Sequence, residues 1–98
     1  MIDYLKKYNL TDNDLDNIKK RYNANYINHF EVMMDNVSDV LNYLKSIGVN
    51  NLLNVILYRP DICFRDLDYL KEQIAKYDEK IVLYMFNNDM EDLINFDI

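Results

Sequence analysis

With 98 residues, half of them apolar and 29% charged, the chain has the size of one domain and a composition too hydrophobic for intrinsic disorder. A formal net charge of −6 disfavours nucleic acid and anionic membrane as partners, and a single Gly with a single Pro leaves little material for tight β-hairpins. The lone Cys63 excludes an internal disulfide framework and fits a reducing compartment, so a cytoplasmic location is expected. The longest apolar runs, such as residues 55–58 and 81–86, fall far short of the roughly 20 residues that span a bilayer. Residues 1–5 carry neither a basic n-region nor an apolar h-region, so no secretory signal is visible. An all-α fold is the expectation, organised as one helical domain over residues 1–98.

The predicted elements are short. Ile2, Leu5 and Tyr8 suggest a brief N-terminal helix. Thr11 with Asp14 reads as an N-cap and an acidic first turn, followed by the apolar stripe Leu15, Ile18 and Tyr22. Lys19, Lys20 and Arg21 then fall where cations complement the helix dipole. A second helix starts near Asn25 with Ile27, Phe30 and Met34 inward, and Asn36 caps a third using Val37, Val40, Leu41, Leu44 and Ile47. Gly48 is the expected left-handed C-terminal residue. A fourth helix runs from about Asn51 to Tyr58 through Leu52, Val55 and Ile56, and Pro60 ends it. Asp66 caps a fifth with Leu67, Leu70, Ile74 and Tyr77 inward. Asp78 caps a sixth using Ile81, Val82, Tyr84 and Met85, and a last turn uses Met90, Leu93 and Ile94.

Six or seven helices of this length are marginal alone and must pack on one another, as about three helical hairpins. A shift of 30 positions pairs Val40 with Leu70, Leu44 with Ile74 and Ile47 with Tyr77. With one residue dropped in the turn, Leu52 pairs with Ile81, Val55 with Tyr84 and Ile56 with Met85. Two helices per period of about 30 is the signature of a stacked α-solenoid, with units at 11–36, 37–66 and 67–98.

The positions Leu44, Ile47, Gly48, Val49, Leu52, Val55, Ile56, Pro60 and Ile62 resemble a repeat of the mitochondrial transcription termination factor (mTERF) family. Such a repeat runs leucine-rich helix, Leu-Gly-Val-like turn, second helix, then Pro and an aliphatic pair. The match is good over 37–66; over 67–98 it holds only in the apolar positions, with Asp78 at the turn glycine and Asp89 at the proline. The resemblance implies an α-solenoid with right-handed stacking of hairpins. It also implies nucleic-acid binding along a basic concave face, but the matching region offers mainly Lys45, Arg59 and Arg65 among many acids.

Chemistry is sparsely represented. The run Asp12-Asn13-Asp14-Leu15-Asp16 opens like a calcium loop but lacks the Gly at Asn17 and the Glu at Asn23. His29, with Met33 one turn on, has no His or Cys partner for a metal, and Cys63 between Ile62 and Phe64 reads as a small core residue. One Gly excludes a phosphate-cradling loop, and no nucleophile–base set is credible, so neither a cofactor nor catalysis is expected. Tyr26, Tyr43, Tyr58 and Tyr69 fall off or at the margins of the apolar stripes, where tyrosine serves interfaces well. The preferred reading is a non-enzymatic module that binds a protein partner, or a second copy of itself, through an acidic, tyrosine-bearing surface. The alternative is nucleic-acid binding through Lys6, Lys7, Lys19, Lys20 and Arg21, whose neighbours Tyr8 and Tyr22 can stack on bases.

Overall fold

The computed structural model describes residues 2–98, and within them the backbone is all-helical. A 3-10 helix at Asp3–Tyr8 is followed by seven α-helical segments: α1 (Asp12–Arg21), α2 (Ala24–Val32), α3 (Met34–Ser46), α4 (Leu52–Tyr58), α5 (Pro60–Cys63), α6 (Leu67–Ala75) and α7 (Glu79–Asn88). A second 3-10 helix at Met90–Phe96 closes the order. That is nine segments among the described residues where six or seven helices were expected; α5 accounts for one of the additions.

Capping side chains set most of the boundaries. Thr11 and Asp14 form a reciprocal box: the Asp14 backbone N–H donates to Thr11 Oγ1 at 3.1 Å, and the Thr11 N–H donates to Asp14 Oδ2 at 2.9 Å. Asn23 accepts from the Tyr26 N–H at 2.9 Å, so α2 begins at Ala24, one residue ahead of the expected Asn25. Asn51, Asp66 and Asp78 likewise cap α4, α6 and α7.

Asn36 does not cap α3. That helix starts at Met34 behind an uncapped Met33, and the Asn36 amide donates instead to the carbonyls of Cys63 at 3.1 Å and Arg65 at 2.9 Å. The reason is continuity: α2 and α3 are separated only by Met33, whose own carbonyl takes up a first-turn N–H of α3, that of Val37, at 2.9 Å. Asn36 is thereby freed to satisfy the backbone where α5 ends. The same early start turns Met34 outward to 43% exposure rather than inward.

Pro60 ends α4 as expected, with Tyr58 the last helical residue, and it also opens a further segment. Arg59 leaves the helical region (φ −135, ψ 56), and Pro60 opens α5 at its first position. Proline forbids helix in the residue before it yet is well suited to a first turn, where its missing N–H would be unpaired anyway. Ile62 and Cys63 are buried as a result.

Buried side chains from every element join one core, including Leu5, Leu15, Phe30, Leu41, Ile56, Ile62, Leu70, Val82 and Leu93. On α7 the inner face is Val82 and Phe86; Ile81 (52% exposed) and Tyr84 (62%) face solvent, as does Ile94 (68%) beyond, against the expected inward placement of all three. The helical phase of α7 is fixed by Phe86, the largest apolar side chain available, and it carries Val82 inward one turn earlier.

This phase corrects the internal pairing. A constant shift of 30, with no residue dropped, matches buried Leu52 to buried Val82, Ile56 to Phe86 and Cys63 to Leu93. The backbone follows: Asp89 (φ −151, ψ 62) repeats the bend of Arg59, and each donates its N–H four residues back, to Met85 and Val55. The recurrence breaks where buried Leu41, Val49 and Ile62 correspond to exposed Lys71, Glu79 and Asp92.

Candidate protein-interaction surface

The four tyrosines singled out in the sequence have different surroundings. Tyr26 is half-buried and belongs to an aromatic cluster: its ring stacks on Tyr22 at 4.7 Å and meets Phe64 edge-on at 5.8 Å. Tyr43 is half-buried on α3 with Lys71 Nζ 5.2 Å above its ring. Tyr69 stands exposed in the first turn of α6, and Tyr58 is 57% exposed at the end of α4. Among the described residues no ring contact joins any two of the four.

The basic residues are partly committed. Lys6 pairs with Asp12 at 2.6 Å, and Lys7 donates to Ser38 Oγ at 3.3 Å while lying 5.2 Å from the Tyr8 ring centre. Lys20 is exposed. Lys19 edges a shallow groove walled by Ile2, Tyr22 and Ile27. The Arg21 guanidinium sits 5.0 Å over the Tyr58 ring.

Tyr58 also walls a groove of about 260 Å³, with Asn54 of α4, Asn88 of α7, and Asp89, Met90 and Glu91 beyond. Asn87 holds the walls in register: its Oδ1 accepts from the Asn50 N–H at 3.0 Å, and its Nδ2 donates to the Gly48 carbonyl at 3.3 Å. Gly48 (φ +105) lets α7 close in there, with Leu83 Cδ2 only 3.1 Å from where a Cβ would stand. The groove rim is acidic and crowded. A hydrogen bond with Asp92, then desolvation, then repulsion from Asp92 and Glu91 raise the Asp89 carboxyl above its ordinary value. Residues 81–98 contain four acids and no Lys or Arg. That cation-free stretch was the available sequence signal for this rim, and Asp89, Glu91 and Tyr84 were not singled out from it.

The remaining polar features serve the fold. Arg59 and Arg65 both donate to the Ile98 carbonyl, the latter at 2.8 Å, and both pair with Asp61, at 3.1 and 3.0 Å. Burial would raise the Asp61 carboxyl; the hydrogen bonds and charge of Arg59, with those of Arg65, outweigh it and hold the group below its ordinary value. The Cys63 thiol is fully buried, and burial with the nearby Asp61 charge pushes it up to about 12, far from thiolate reactivity at neutral pH. His29 is exposed with its ring 4.4 Å from Phe64. No helix among the described residues is long and apolar enough to cross a membrane. Comparison with protein-family models, with curated proteins and with solved structures yields no match to this chain.

Proposed function

We propose that this chain is a non-enzymatic protein-interaction module whose binding surface is centred on Tyr58 and the acidic groove beside it. The observation that carries the reading is the position of this ring: exposed, with the Arg21 guanidinium over it and in the wall of a groove that Asp89 and Glu91 also line. An aromatic with a polar tip at the centre of a charged rim is the usual make-up of a binding hot spot. The scaffold is read as helical-repeat, of the mTERF-like kind. The 30-position recurrence of buried residues and the shared bend at Arg59 and Asp89 support that architecture. The lone buried thiol supports a reducing, cytoplasmic setting.

The test is protein capture by immobilised wild-type chain against a Tyr58→Ala, Tyr69→Ala variant. Proteins retained by the first and lost by the second support the reading; an unchanged set counts against it. Nucleic-acid binding is the competing outcome. It is measured by fluorescence anisotropy of labelled DNA and RNA at low and at physiological salt, with Lys19→Glu plus Lys20→Glu as the control. Binding that those two reversals abolish would move the assignment to nucleic acid.

A further inference from the structure

We infer that the partner at this surface is a second copy of the chain, joined across a two-fold axis passing close to Tyr58. The inference rests on the proposed interaction surface and names its occupant. Three features place it there.

The first is self-complementarity of charge. Arg21, at the end of the run Lys19-Lys20-Arg21, lies over the Tyr58 ring, while Asp89 and Glu91 line the groove that the same tyrosine walls. A two-fold axis between such halves sets the cations of each copy against the acids of the other, so one favourable pairing is made twice. Any partner of a single sign would instead face a like charge over half the surface.

The second is that these charges are not neutralised by an ion pair. Among the described residues the ion pairs join Lys6 to Asp12 and Arg59 and Arg65 to Asp61; Arg21, Asp89 and Glu91 take part in none. Asp89 is crowded by Asp92 and Glu91, a repulsion that an incoming guanidinium or ammonium relieves.

The third is apolar area next to the charged groups. Tyr84 lies one helical turn before Asn88 of the groove wall, and Ile81 one turn before Tyr84, so an exposed stripe along α7 leads into the groove. A modest specific dimer needs about 600 Å² from each copy. That is close to a tenth of the 5769 Å² the chain exposes.

Sedimentation equilibrium of the full chain tests the inference. The wild type is expected to form dimers at tens of micromolar protein in low salt and to shift toward monomer at high salt, where exposed charge pairs are screened. Arg21→Glu alone and Glu91→Lys alone should each weaken association at least about tenfold. An equimolar mixture of these two variants should restore the dimer, because each then meets an opposite charge at both contacts. Far-UV circular dichroism of each variant establishes that it is folded. A wild type that stays monomeric in low salt overturns the inference, as does a dimer indifferent to both reversals and to Tyr58→Ala, or a mixture that fails to recover. If the wild type is monomeric yet captures other proteins in a Tyr58-dependent way, the second copy is the wrong occupant and the interaction surface stands. If neither occurs, both fall.

Discussion

The Tyr22 hydroxyl stands 2.7 Å from the Ile56 carbonyl oxygen, and that bond ties the end of α1 to the end of α4. The same hydroxyl lies 2.8 Å from the Leu57 carbonyl, so one O–H serves two acceptors that the bend at Arg59 leaves without helical partners. Tyr22→Phe keeps the ring and its stacking on Tyr26 but removes the donor. We expect a loss of about 1 kcal/mol in urea-denaturation stability, the usual net worth of such a bond. An unchanged midpoint would mean that solvent satisfies these carbonyls equally well.

Asn36 separates two roles cleanly. As a cap it would tolerate Asp; as a donor to the Cys63 and Arg65 carbonyls it cannot, because a carboxylate offers only acceptors. Asn36→Ala should therefore cost about 1–3 kcal/mol, and Asn36→Asp should cost more at neutral pH than at pH 3. Equal stability of the Asp variant and wild type would return Asn36 to the capping role.

Gly48→Ala meets two obstacles at once: a backbone at φ +105 and Leu83 Cδ2 at 3.1 Å from the new methyl. A destabilisation of about 1–3 kcal/mol is expected. Leu83→Ala in the same chain should recover the steric part and leave the backbone part, which a thermodynamic cycle would resolve.

Asp61 sets an acid limit. Its carboxyl titrates lower in the folded chain than in the unfolded one, so the folded state holds that proton less readily. The resulting stabilisation is present above the ordinary aspartate range and disappears as pH falls through the folded value. Between pH 5 and pH 2.5, stability should fall less steeply in Asp61→Asn than in wild type, as read from urea midpoints. Parallel curves would assign the acid limit to other carboxylates.

Cys63 should be silent toward an aromatic disulfide reagent at pH 8 in the native state and react fully in denaturant, since it is enclosed and its thiol is pushed up to about 12. Rapid native reaction would show that α5 opens locally.

The sequence was most legible where a local rule had no competitor. Thr11 with Asp14, Asp66, and Gly48 each act through neighbours within four residues, and all three behave as their residue types dictate. Asn36 misled because its partners lie 27 and 29 positions away, a distance no local pattern encodes. Ile81 and Tyr84 misled for a different reason. In the run Ile81-Val82-Leu83-Tyr84-Met85-Phe86 every residue is apolar, so periodicity alone cannot choose the inner face. Packing against α6 and the closing 3-10 helix makes that choice, and it strands Tyr84 at the surface. The candidate site was legible in its parts, Tyr58 and Arg21, but not as a site. Tertiary contact between the ends of α1 and α4 brings those two together, and the chain beyond α7 brings Asp89 and Glu91 into the groove that Tyr58 walls.

The aromatic cluster gives the molecule an optical signature of its own. The chain has nine tyrosines and no tryptophan, and the Tyr22 and Tyr26 rings lie 4.7 Å apart and only 19° from parallel. Rings held this close in a fixed chiral arrangement produce tyrosine-band circular dichroism that vanishes when side-chain packing loosens while helices persist. That band therefore reports the seam between α1, α2 and the Phe64 connection, and it can be followed through a titration without any added label.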